Sequence, residues 1–187
     1  MRLTVVMIFS LLGSLSLNAA DTELKHYRPF GEDNPLVPLI IKEKHSGQCW
    51  QQSQKIKRED AWRCSADDKI YDPCFVKQYG LHQEAICPES PWVGASIQLD
   101  LPQAVDNTGH SPLDLSRTYP WAVLLTSGIK CQALDEGGLF DNLPIHYQCD
   151  NQTVLFGHLQ RCKMPWTILQ RGGEGTVETV AIEKAWF

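Results

Sequence analysis

"WAVLLTSGIKCQAL", residues 121–134, decides the fold. Two apolar-rich runs flank Thr126-Ser127-Gly128, and a short glycine-bearing turn between such runs marks a β-hairpin. The pattern recurs downstream. "IHYQC" (145–149) and "TVLFG" (153–157) flank Asp150-Asn151-Gln152, and "WTILQ" (166–170) and "TVETVAIEKAW" (176–186) flank "RGGEG". Upstream, "SIQLDL" (96–101) alternates polar and apolar residues, the mark of a half-buried strand. Successive hairpins with short turns, and no sustained helical period, predict a mostly β fold. The expected architecture is a small antiparallel barrel or sandwich. In the last run the two alternating sets, Val177/Thr179/Ala181/Glu183 and Glu178/Val180/Ile182/Lys184, leave the buried face undecided.

The N-terminal half reads as irregular. Residues 21–45 carry Pro29, Pro35 and Pro38 among polar residues and form a lead-in. "REDAWRC" (58–64) predicts a helical turn, "QYGLHQEAICPESPW" (78–92) loop and turn, and residues 102–118 a long exposed loop. One disulfide-rich β domain is expected over 46–187. Residues 1–20, "MRLTVVMIFSLLGSLSLNAA", have the basic, apolar and small-residue order of a secretory signal peptide. Their apolar run is shorter than the ~20 residues of a membrane span.

The chain has 187 residues and a formal charge of −5. Loss of Arg2 with the leader leaves 16 basic against 22 acidic residues. That balance weighs against nucleic acid, whose phosphates require clustered Lys and Arg. "KIKR" (55–58) is followed at once by Glu59-Asp60 and reads as a solvated turn. The expectation is an exported monomer, periplasmic or secreted, with no anchor after cleavage and no cofactor.

All seven cysteines follow the leader, and export implies oxidised pairs. Short closures favour Cys49–Cys64, Cys74–Cys87 and Cys131–Cys149, leaving Cys162 free. Each would add about 2–4 kcal/mol by restricting the unfolded chain. Cys149–Cys162, with Cys131 paired elsewhere, is the rival. His146, Cys149, His158 and Cys162 have spacings that four zinc ligands can use, although thiols in an oxidising space more often pair. Cys162 with His158 or His146 is the candidate for a cysteine nucleophile, without a flanking signature. Ser127-x-x-Lys130 falls on a hairpin turn rather than the helix start that its chemistry needs. Asp67-Asp68 reads as a hydrated turn.

Six tryptophans are many for this length. Trp121, Trp166 and Trp186 fall in expected strands and are assigned to the core. Trp50 and Trp62 adjoin Cys49 and Cys64 and are expected to pack on a disulfide. Trp92, in the turn after "CPESP", is the candidate exposed binding aromatic.

The stretch "CWQQSQKIKREDAWRCSADDKIYDPCF" (49–75) resembles a pattern in uncharacterised exported proteins and lipoproteins of actinobacteria. That pattern runs through Cys87-Pro88, Pro120-Trp121, Gly128 to Cys131 and Tyr147 to Cys149. Six cysteines fit it and Cys162 does not. The resemblance implies an extracytoplasmic module of paired cysteines in a bacterial envelope, and it supplies no catalytic residue. The sequence favours a non-enzymatic binding module for an envelope component or protein partner over an enzyme. Trp92 and residues 102–118 are the candidate contacts.

Overall fold

The computed structural model describes residues 20–31, 38–77, 83–173 and 175–187. The expected leader, residues 1–20, lies outside these apart from Ala20. Among these residues fourteen strands follow one another: β1 (Glu23–Lys25), β2 (Ile40–Ser46), β3 (Gln48–Gln52), β4 (Ala61–Ala66), β5 (Lys69–Val76), β6 (Gln83–Ser90), β7 (Val93–Leu101), β8 (Ala122–Leu125), β9 (Lys130–Ala133), β10 (Leu139–Phe140), β11 (Leu143–Cys149), β12 (Val154–Gln160), β13 (Thr167–Arg171) and β14 (Val177–Trp186). Among the described residues no helix is long and apolar enough to cross a membrane.

The three hairpins of the sequence are β8–β9, β11–β12 and β13–β14. Their turns carry left-handed residues, Gly128, Gln152 and Gly175. With β9 against β11, β12 against β13, and β14 returning to β8, they close a six-stranded antiparallel barrel. Closure removes the free edges of these strands. The undecided face of β14 has a local cause. The register with β8 shifts between Ile182 and Lys184, so Ile182 and then Ala185 point inward and are both fully buried. A bulge of this kind moves the alternation by one residue.

The N-terminal half, expected to be irregular, is instead a second sheet in the order β2-β7-β6-β5-β4-β3. The expected helical turn at 58–64 gives way to β4, and β6 occupies the stretch read as loop. The lead-in also contributes strands: β1 pairs in parallel with the end of β14, and β2 in parallel with β7. Parallel partners far along the chain leave no local signature, and prolines flanking short edge strands hide them further. In the stretch 63–75, Asp67 and Asp68 (φ 48° and 61°) form the two-residue turn of the β4–β5 hairpin. Both left-handed positions suit aspartate in such a turn. Asp72-Pro73, a dipeptide of residues common in turns, lies inside β5.

Edge strands β2 and β3 are consecutive in the chain, separated by Gly47 alone. One run of chain therefore pairs with β7 by its first half and with β4 by its second, and the sheet rolls up. Gly47 is the seam. Its N–H donates to the Asp100 carbonyl at 3.0 Å. A Cβ there would meet the Ser65 carbonyl oxygen at 2.8 Å and Leu99 Cδ1 at 3.1 Å.

The two sheets share a core. Ile56, Ala61 and Phe75 of the N-terminal half join Trp121, Tyr147, Leu155, Ile182 and Phe187 in one buried cluster. A second cluster, around Trp62, Cys64, Val76 and Leu99, fills the N-terminal roll. Arg58 lies buried where the halves meet. Its Nε and Nη2 donate to the Asp60 carboxylate, and Nη1 donates to the main-chain oxygens of Tyr27 (2.7 Å) and Phe187 (2.9 Å). Its guanidinium sits 4.5 Å from the Phe75 ring centroid.

Two substitutions test this account by urea denaturation. Gly47→Ala should cost about 1–3 kcal/mol, because a methyl at the seam overpacks the Ser65 carbonyl and the Leu99 side chain. Arg58→Met should cost about 3 kcal/mol, since it strands a partly buried carboxylate and two carbonyls.

Candidate functional site: the groove at the free edge of β3

The disulfides are Cys49–Cys64, Cys74–Cys87 and Cys131–Cys149, and Cys162 is a free, exposed thiol. Each bridge joins neighbouring strands that are already paired. Cys49 faces Cys64 across β3 and β4, and Cys131 faces Cys149 across β9 and β11. Cys74 and Cys87 sit one position beyond the Phe75–Ile86 pair of β5 and β6. The bridges thus pin register within each sheet, where a one-residue slip would turn every side chain to the wrong face.

This pairing corrects the zinc alternative. Cys149 is oxidised and offers no thiolate. His146 stacks on Tyr119 (centroids 4.1 Å apart), while His158 and Cys162 are exposed. No group of three His, Cys, Asp or Glu poised for a metal occurs among the described residues. The thiol nucleophile finds no support either. Among the described residues no hydrogen bond joins Cys162 to His158 or His146.

The expectation of an exposed Trp92 is also corrected. Trp92 is half-buried and packs edge-on against Trp186 at 5.5 Å, with the Lys130 ammonium 5.9 Å from its ring centroid. The tight β6–β7 turn presses it onto the barrel wall. The exposed tryptophan is Trp50, at 46%. Strand alternation was the available signal: with Cys49 turned toward its bridge, its neighbour faces outward. Trp62 is buried and packs against His110, with ring centroids 4.1 Å apart and planes tilted by 48°.

Trp50 borders a groove of about 660 Å³, a size that suits small-molecule or peptide ligands. Its origin is the Gly47 seam. Past that point β3 continues along β4, but β7 ends at Leu101 and the chain departs from the sheet. The gap is lined by consecutive residues 46–50 on one side and 102–106 on the other, with residues 65–68 of the β4–β5 hairpin at one end. Consecutive lining residues mark a strand edge rather than a strand face.

The long loop that follows is held in place. The Ser111 carbonyl accepts from Gln52 Nε2 at 2.7 Å and the Leu113 N–H donates to Glu59 Oε2 at 3.2 Å. His110 Nδ1 lies 3.0 Å from the Glu59 carbonyl oxygen, and the Val105 N–H donates to Gln83 Oε1 at 2.7 Å. The loop is therefore part of the wall, and the wall is preformed.

The groove is acidic. Asp67, Asp68 and Asp106 line it, and no Lys, Arg or His does among the described residues. The Thr108 main-chain N–H and hydroxyl hold the Asp106 carboxyl below its ordinary range. A general acid needs the opposite shift. Burial raises the Asp72 carboxyl, against hydrogen bonds from Ser53 and the Gln54 N–H, but Asp72 does not line the groove. What the groove offers is an aromatic face, fixed negative charge and the amides of Gln48 and Gln103, which is the chemistry of binding.

Comparison with protein-family models, curated proteins and solved structures returns no match.

Two histidines near the junction of the halves make stability depend on pH. Burial depresses both His146 and His26, helped at His26 by Arg58 and Arg28. The unfolded chain therefore takes up protons first. Stability is complete above the ordinary value of 6.5 and falls as pH drops through it toward the lower folded values. Urea midpoints should decline between about pH 8 and about pH 5, and His146→Gln should remove part of that decline.

Proposed function

We propose that this protein is a non-enzymatic, disulfide-stapled binding module of the extracytoplasmic space, and that its ligand lies in the groove between β3 and residues 102–106. The observation that carries the reading is Trp50. A large aromatic ring left 46% exposed, on a strand edge, beside a preformed cleft, is costly to keep in water unless something covers it. The Cys49–Cys64 bridge pins β3, one wall of the cleft, to β4, and the three disulfides of the molecule suit an oxidising compartment. The leader pattern of residues 1–20 and the resemblance to exported actinobacterial proteins point to the same compartment. The partner is a component of the envelope or a protein that meets it there.

The test is binding of envelope-derived glycans and peptides, followed through tryptophan emission. Trp50→Ala should weaken binding by at least about tenfold, the loss of roughly 1.4 kcal/mol expected for an aromatic contact, without lowering the urea midpoint. Trp92→Ala should do the reverse, lowering the midpoint while leaving affinity intact. Equal affinity of the Trp50 variant and the parent would remove the groove as the site.

A further inference from the structure

Resting on that reading of the groove, we infer that its occupant is an extended, positively charged segment of a partner protein, which adds as a strand to the free edge of β3. Two independent observations carry this.

The first is topological. β3 stands at the end of its sheet and pairs on one side only, with β4. An edge strand presents a row of main-chain donors and acceptors, and an extended peptide satisfies them by continuing the sheet. Natural edges are commonly blunted by lysine, proline or a covering loop. Residues 48–52, "QCWQQ", contain neither lysine nor proline; the following loop touches β3 at its end, where Ser111 bonds the Gln52 side chain, and residues 102–106 face residues 46–50 across the groove.

The second is charge. Among the described residues, three aspartates and no basic residue line the groove. His45 ties the β4–β5 turn to β2, with its ring nitrogens 2.6 Å from Asp67 Oδ2 and 2.9 Å from Glu43 Oε2. Asp106, like any exposed aspartate, is ionised near neutrality, and its carboxylate is fixed in place by the Thr108 N–H at 2.9 Å. A chain laid along β3 projects alternate side chains to one face. Lysine or arginine at those positions meets the aspartates, and the exposed Trp50 ring accepts a cation over its face. A neutral glycan would stack on the ring and donate hydroxyls to the carboxylates, but it carries no positive charge to offset theirs, and an acidic partner would be repelled.

The experiment uses the full oxidised chain and three probes: a fluorescent peptide of alternating lysine and threonine, its glutamate-for-lysine counterpart, and a tetrasaccharide of N-acetylglucosamine. Anisotropy is read at about 20 mM and about 300 mM salt, and amide exchange is followed over residues 48–52. The lysine peptide should bind, weaken by about tenfold or more at the higher salt, and slow exchange along β3. Asp67→Asn, Asp68→Asn and Asp106→Asn together should weaken it by about tenfold or more. Asparagine tolerates the left-handed turn positions of Asp67 and Asp68, so that variant keeps the hairpin. Lysine-peptide binding unchanged in the triple variant overturns the proposal. Binding of the tetrasaccharide alone, lost in Trp50→Ala, overturns the peptide assignment while the groove stands. No binding of any probe overturns both.

Discussion

A buried guanidinium holds the two halves of this molecule in one arrangement. Arg58 lies on the connection between β3 and β4, and it reaches the main-chain oxygens of Tyr27 and Phe187 and the carboxylate of Asp60. A charge removed from water must find partners for its donors or it destabilises the fold by several kcal/mol. Here the partners come from three places at once: the segment after β1, the end of β14, and the arginine's own turn. The guanidinium lies over the Phe75 ring, and Tyr27 packs on Phe75 and Trp121. Satisfying one side chain thus fixes where the rolled sheet sits on the barrel.

The disulfides have a different task. None crosses between the halves; two lie in the N-terminal sheet and one in the barrel. Each joins strands that already share hydrogen bonds, so their effect is on register and on the unfolded chain rather than on the packing of one half against the other. That packing is left to apolar burial and to a few long-range polar contacts. One of these is the ion pair of Lys55, on the connection between β3 and β4, with Asp135, which follows β9, at 3.1 Å.

The groove is a by-product of how the N-terminal sheet closes. Gly47 allows one run of chain to serve as both edges, because its missing side chain lets β4 and β7 approach together. Rolling brings the edges into contact at one point and lets them splay beyond it, and the splayed part is where Trp50 and the aspartates stand. Stability and recognition therefore trace to the same glycine.

The sequence by itself determined the β class, the three C-terminal hairpins and their turns. These rest on local physics: period-two alternation, glycines such as Gly128 and Gly175 at left-handed turn positions, and cysteines a short closure apart. The hydrated Asp67-Asp68 turn was legible for the same reason. Only the tertiary structure decided the strands of the N-terminal half, because β1 and β2 pair in parallel with residues far along the chain and β2 and β3 meet different partners on either side of one glycine. It alone decided that Trp92 packs on the barrel while Trp50 faces water. Burial depends on what another part of the chain brings alongside, and no window of local sequence contains that neighbour.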